Sequence, residues 1–183
     1  ADPGDGGKNH YLVMGAGQGM APFAGDPQRL IDAVRRHGGR GFLAHPCERS
    51  GALVDEPEID WTAWDVEGYD GLEIWNYMSE FKSCVDDLAR TLLYVLFPSL
   101  AIRGPFPETL NKWDELLADN KVWGVGGSDT HGETYQMGPL RRIVFDYDHL
   151  FGTINTHALL SEPWNGRLDH DAELLYEALG RGR

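Results

Sequence analysis

Short apolar runs alternate with longer amphipathic stretches along the chain, and this pattern predicts a mixed α/β fold. Each apolar run has the length of a strand. The predicted strands are His10–Gly15, Gly41–Pro46, Tyr69–Asn76, Val122–Val125 and Arg141–Asp146. Because predicted strands and helices alternate, we expect parallel βα units.

The amphipathic stretches between the strands predict helices. The first has Asp26 as its N-cap, Pro27 at its first helical position and Gly38 as its stop signal. The other predicted helices are at about Val85–Phe97 and at Glu108–Asn120, Tyr147–Leu160 and Asp169–Gly180. With 183 residues, 42% of them hydrophobic, and no internal repeat or linker, the chain is expected to form one domain.

The composition argues against several classes of function. A formal net charge of −13 without a dense Lys/Arg stripe argues against a nucleic-acid partner. The longest apolar run, "LLYVLF", is shorter than the roughly 20 residues that a membrane-spanning helix needs. Cys47 and Cys84 form no metal or redox motif, and no signal peptide is legible. The sequence therefore favours a cytoplasmic protein with free thiols.

The stretch "VWGVGGSDTHGE" places chemically active side chains directly after an apolar run. Asp129 and His131 are two residues apart, so in an extended conformation both side chains point to the same side. A carboxylate and an imidazole that converge suit a divalent metal or a general acid/base pair. The alternative is a polar turn in which Ser128 and Asp129 cap the next segment.

Similar side chains follow other predicted strands. His45 comes after "GFLA" and Asn76 comes after "GLEIW", as Asp129 and His131 come after the "VWGV" run. Ligands of parallel α/β proteins collect at the C-terminal ends of the strands, where the βα loops meet. We therefore expect these four residues to lie near one another.

Three motifs in this order, "GFLAHP", "GLEIWN" and "GGSDTHG", resemble the later motifs of the PHP (polymerase and histidinol phosphatase) family of metal-dependent phosphoesterases. The resemblance extends from about Asn9 to the end of the chain. It implies an α/β fold of the distorted (β/α)7 TIM-like barrel type, with up to three zinc, manganese or iron ions. By this resemblance the metal ligands are His10 of "HYLVMG", His45, Asp129 and His131.

The family's earlier motifs, an HxH strand, a DH segment and a bridging Glu, do not occur in the nine residues before His10. The resemblance therefore implies that residues 1–183 are a portion of one PHP-like domain, truncated at both ends and lacking the first strands of the barrel. Residues 1–9 are then a loop or a remnant, and the βα units begin at about residue 10. An incomplete barrel exposes apolar surface, so we expect self-association or a complementing N-terminal segment.

The resemblance implies a metal-dependent hydrolase that acts on a small-molecule phosphate ester, with metal-activated water as the nucleophile. Glu73 alternates with Leu72 and Ile74, so it can face the interior as a hydrogen-bonded partner of the ligands. Asn76 either contacts substrate or starts a turn. Two alternatives stay open: a non-catalytic or degenerate PHP-like module, and a metal-dependent enzyme of the amidohydrolase type on a similar barrel.

Overall fold

A computed structural model of the chain describes residues 8–54, 57–131, 134–137 and 140–183. Most of the predicted loop or remnant at residues 1–9 lies outside these ranges. The strands within them are β1 (Tyr11–Met14), β2 (Arg40–Leu43), β3 (Gly71–Asn76), β4 (Trp123–Gly127), β5 (Thr134–Met137) and β6 (Leu140–Ile143). The helices within them are α1 (Pro27–Arg36), α2 (Tyr77–Ser83), α3 (Leu88–Leu96), α4 (Pro107–Asp119), α5 (Tyr147–Phe151) and α6 (Leu168–Gly180).

Strands β1 to β4 form an open mixed sheet in the order β1-β2-β3-β4 in the part of the chain that the structure describes. The predicted mixed α/β class is therefore confirmed. Strands β2, β3 and β4 are parallel, as expected, and α4 lies on the connection from β3 to β4. A register shift between Glu73 and Trp75 interrupts the pairing of β3 with β4.

The expectation that all strands are parallel is wrong for β1. This strand pairs antiparallel with β2, with Tyr11 opposite Leu43 and Met14 opposite Arg40. The start of β1 therefore lies beside the end of β2. Helix α1 connects them without a parallel crossover, a pairing direction that the apolar pattern of each strand cannot encode.

The prediction of a strand at Arg141–Asp146 is only partly correct. Its first residues lie in β6, which pairs with β5 as a separate antiparallel hairpin and does not join the four-stranded sheet. Its last residue, Asp146, is instead the N-cap of α5, because its side chain accepts a hydrogen bond from the His149 N–H at 2.8 Å.

The predicted helices differ in how far they extend. The first is confirmed as α1, where the Asp26 carboxylate accepts the Arg29 N–H at 2.8 Å. The predictions for α3, α4 and α6 are also confirmed within a few residues. The predicted helix Tyr147–Leu160 is helical only over α5, because the chain leaves the helix at Gly152. Helix α2 was not predicted as a separate element.

Three apolar clusters hold these elements together. The first packs the buried face of α1, with Leu30, Ile31 and Val34, against Leu43 and Leu72 of the sheet. The second surrounds α2 and α5 and is built on five buried apolar residues, Tyr77, Phe81, Ala101, Phe145 and Leu150. The third joins α6 to the sheet through Leu179, Phe42 and Val125. No helix within the described ranges has the length and apolar character needed to cross a membrane.

Candidate functional site

The antiparallel pairing of β1 with β2 brings His10 and His45 together. The Ala44 N–H donates a hydrogen bond to the His10 carbonyl at 3.0 Å. His10, just before β1, and His45, just after β2, therefore lie side by side. His10 Nδ1 lies 3.2 Å from His45 Nε2, and the two rings meet edge to face. His45 was expected here because it follows an apolar run, and His10 because of the resemblance to the PHP family.

The ring of His45 is oriented by a backbone carbonyl. His45 Nδ1 lies 3.2 Å from the Ile59 carbonyl oxygen, which can only accept a hydrogen bond. This contact assigns the ring hydrogen to Nδ1, so that Nε2 presents its lone pair towards His10. A neutral imidazole with one nitrogen fixed by a carbonyl is the form in which histidine binds a metal ion.

The two imidazole nitrogens are at hydrogen-bond distance, and their separation is also close to that of two nitrogens that bind one cation. Two nitrogens that each lie about 2.0–2.1 Å from a zinc ion at tetrahedral angles are about 3.3–3.4 Å apart. The 3.2 Å between His10 Nδ1 and His45 Nε2 is close to that value. These two residues therefore have both the chemistry and the spacing of a ligand pair.

Asp129 and His131 form a second pair, directly after β4. Asp129 Oδ1 lies 3.6 Å from His131 Nδ1, so the carboxylate and the imidazole converge. The extended backbone that was expected to bring them together is absent, because β4 ends at Gly127 and Asp129 has a φ of 51°. Their side chains are 30% and 55% exposed, respectively. This pair is more open to solvent than His45, which is buried.

Glu73 lies between the two pairs, in the middle of the sheet. Its Oε2 accepts the His45 backbone N–H at 2.9 Å and the Asn76 side-chain amide at 2.8 Å. Burial raises the pKa of Glu73, these two hydrogen bonds oppose that effect, and the negative charge of Asp129 adds to it. Glu73 therefore contacts His45 of the first pair directly and is affected by the charge of Asp129 in the second.

Asn76 has a structural role at this edge. Its Oδ1 accepts the Ser79 N–H at 2.9 Å and so caps α2, while its amide donates to Glu73. Of the two interpretations of the sequence, the start of a turn is the one with hydrogen bonds to support it. The side chain also closes one end of a small cavity next to His45.

Three residues at this edge have strained backbone conformations. Within the described ranges, the non-glycine residues with positive φ are Asn9 at 61°, His45 at 28° and Asp129 at 51°. Asn9 directly precedes His10, and His45 and Asp129 are themselves members of the two pairs. Backbone strain of this kind costs about 1–3 kcal/mol per residue and concentrates at functional sites.

Sequence reasoning missed the residues that support this edge. Asn9 is buried, and its Oδ1 accepts the N–H groups of Thr62 and Ala63 at 2.6 and 3.1 Å. Asparagine tolerates positive φ, and that preference was the available signal for Asn9. Glu80 accepts the N–H groups of Arg103 and Gly104 at 2.6 and 3.0 Å. No local pattern marks that long-range contact.

A narrow cavity of about 10 Å³, room for about one water molecule, lies behind the site. His45, Glu73 and Asn76 line it, together with Phe106 and Thr109 from the start of α4. The cavity is too small to receive a substrate in this conformation.

The described part of the chain contains no group of three or more His, Cys, Asp or Glu side chains that is arranged to hold a metal ion. The four predicted ligands are present as two pairs, His10 with His45 and Asp129 with His131. Glu73 is the residue whose contacts and charge connect the pairs.

Comparisons with known proteins identify no relative. Neither the scan against protein-family models nor the searches of curated proteins and of solved structures found a match to this chain. The resemblance to the PHP family therefore depends on the quoted sequence motifs alone.

Proposed function

We propose that this chain carries the site of a divalent-metal-dependent hydrolase of phosphate esters, of the PHP type. The observation that carries the proposal is the 3.2 Å separation of His10 Nδ1 and His45 Nε2 at the edge of the sheet. Two imidazole nitrogens at this spacing suit zinc, manganese or iron, and Asp129 and His131, on the turn after β4 beyond β3, are the donors proposed to complete the set.

In this proposal each residue has a separate task. His10 and His45 bind the cation through facing nitrogens, and Asp129 and His131 complete the set from the end of β4. A bound divalent cation polarises a phosphoryl oxygen and lowers the pKa of a bound water molecule towards neutrality. The Ile59 carbonyl keeps the ring hydrogen of His45 away from the cation.

The proposal extends to the fold and the partners. We infer that the open sheet β1–β4 is part of a distorted seven-stranded barrel, which a complementing N-terminal segment would help to close. The substrate is then a small-molecule phosphate ester reached in the cytoplasm. The net charge of −13 is compatible with a phosphate substrate, because the local charge of bound cations outweighs the distant acidic side chains.

One observation favours a second candidate, a non-catalytic PHP-like module. In the described ranges the predicted ligands stand as two pairs and do not form a group of three. A module of this kind would keep the hydrogen-bonded scaffold of Glu73 and Asn76 without a cation that activates water.

A phosphatase assay separates the two candidates. We expect the chain to hydrolyse p-nitrophenyl phosphate when Mn²⁺ or Zn²⁺ is added, and Asp129→Ala to lower that rate by at least about tenfold, since loss of a metal contact weakens binding to this degree or more. His157→Ala is the matched control, because His157 is exposed and lies away from the pairs in the sequence. A metal-dependent rate that Asp129→Ala leaves unchanged would reject the proposed site, and no metal-dependent rate at all would favour the module.

A further inference from the structure

Glu73 is a buried carboxylate at the centre of the site, and it is not one of the four proposed cation ligands. Its side chain is 4% exposed, and it lies on β3, between β2 on one side and β4 on the other. A buried carboxylate is costly unless its oxygens are hydrogen bonded. Its contacts therefore indicate what it does.

One oxygen of Glu73 supports the turn at His45. Oε2 accepts the His45 backbone N–H at 2.9 Å, where His45 has the unfavourable φ of 28°. Without this acceptor the buried N–H would have to find another partner, or the turn would relax to a more common conformation. The hydrogen bond thus keeps the His45 ring directed towards His10.

The other oxygen of Glu73 lies against the end of β4. A Cβ placed on Gly127 would be 2.7 Å from Glu73 Oε1, closer than real Cβ contacts allow. Gly127 therefore leaves the space that this carboxylate occupies, two residues before Asp129. The Glu73 side chain therefore contacts the turn after β2, which carries His45, and the end of β4, which precedes Asp129.

We propose that Glu73 is a positioning residue that fixes the turn of His45, packs against the end of β4 before Asp129, and thereby sets the cation affinity of the site. The effect on affinity rests on the proposed function, whereas the effect on the His45 turn does not. Gly127 is required because it leaves room for the Glu73 carboxylate.

Three variants test the proposal, together with one control. Glu73→Ala removes the acceptor, and Glu73→Gln keeps a side-chain carbonyl that can accept the same hydrogen bonds. Gly127→Ala leaves Glu73 present but displaces its carboxylate. Gly25→Ala is the control, because a Cβ on Gly25 meets nothing within 4 Å.

Two measurements report on these variants. Labelling with ¹⁵N-histidine gives backbone amide signals for only seven histidines, so hydrogen exchange at His45 can be followed in the protein without metal. We expect exchange at His45 to be at least about tenfold faster in Glu73→Ala and Gly127→Ala, because the amide loses its acceptor.

Titration with Co²⁺ reports affinity and, through the visible absorption of the ion, coordination geometry. The same variants should bind about 10–100-fold more weakly with an altered spectrum, and Glu73→Gln should restore both readouts.

The outcomes separate this proposal from the proposed function. The positioning role would be overturned if Glu73→Ala and Gly127→Ala both kept the hydrogen exchange rate at His45 and the Co²⁺ affinity of the wild type. A loss in Glu73→Gln as large as that in Glu73→Ala would also overturn it, because charge and not position would then be the property that matters. If the wild-type chain bound no Co²⁺ while exchange at His45 rose in the variants, the positioning of the turn would be supported and the proposed function overturned.

Discussion

At the scale of single residues, buried acids do more to shape this edge of the molecule than the predicted ligands do. Glu48 is an example beside the site. Its carboxylate accepts hydrogen bonds from the Ile59 N–H at 2.8 Å, the Ser79 hydroxyl at 3.0 Å and the Lys82 ammonium at 3.0 Å. Through Ile59 it also supports the carbonyl that orients the His45 ring.

Neutralising this acid should destabilise the fold. Glu48 and Lys82 form an ion pair in which both side chains are largely buried, at 6% and 13% exposure. We expect Glu48→Gln to lower the free energy of unfolding by about 2–4 kcal/mol at pH 7, because a buried charge loses its partner. Urea denaturation measures the change, with Glu67→Gln, at an exposed acid, as the control. An unfolding free energy equal to that of the control would show that the pair does not contribute.

The same experiment has a defined pH dependence. Burial raises the pKa of Glu48, but the hydrogen bonds from Ile59 and Lys82 outweigh burial and leave the pKa below its ordinary value of 4.5. A pKa that is lower in the folded state stabilises the fold at pH values above 4.5, and this stabilisation is lost as the pH falls through the folded-state pKa. The difference between wild type and Glu48→Gln should therefore shrink in acid.

At the scale of elements, helix α3 is unusual because none of its side chains is buried. Tyr94 and Val95 face the apolar cluster around α2 and α5. On its outer face, Leu92, Leu93 and Leu96 are 46%, 43% and 62% exposed. A helix that is apolar on both faces is typical of a position in which both faces are covered.

We expect two copies of the chain to associate through α3. The net charge of −13 opposes association, and salt screens this repulsion while leaving apolar burial intact, so association should increase with ionic strength. Sedimentation velocity should show Leu96→Glu to be more monomeric than wild type. Leu53→Glu, the same change at a leucine that is 53% exposed on a loop, should have no effect. If Leu96→Glu and Leu53→Glu associated to the same extent, α3 would be excluded as the contact between the two copies.

The elements also show what the sequence can and cannot predict. The strands that contribute β1 to β4 were located from their apolar runs, and α1 from Asp26, Pro27 and its apolar stripe, because these signals are local. The antiparallel direction of β1 and the separate β5–β6 hairpin were not predicted, since strand pairing depends on partners far away in the chain. In the candidate site, His45, Asp129 and His131 were proposed because they follow apolar runs, and His10 because of the resemblance to the PHP family, whereas Asn9 and Glu80 act through contacts distant in sequence.

At the scale of the whole molecule, the sheet acts as a frame that presents short polar turns at one edge. His10 directly precedes β1, His45 follows β2, Glu73 and Asn76 lie on β3, and Asp129 follows β4. An acidic chain that gathers imidazoles and carboxylates at one edge of a buried sheet is suited to a cation. Under the proposed function, His10 and His45 share that cation.

Calorimetric titration with Zn²⁺ tests whether His10 and His45 bind the same ion. The full chain, freed of metal, is compared with the single variants His10→Ala and His45→Ala, with the double variant and with the control His157→Ala. We predict saturable binding by the wild type and the control. Each single variant should bind at least about tenfold more weakly, and the double variant should lose less than the sum of the two single effects, because residues that hold one ion are energetically coupled. Wild-type affinity in His45→Ala, or strictly additive losses in the double variant, would contradict a shared cation.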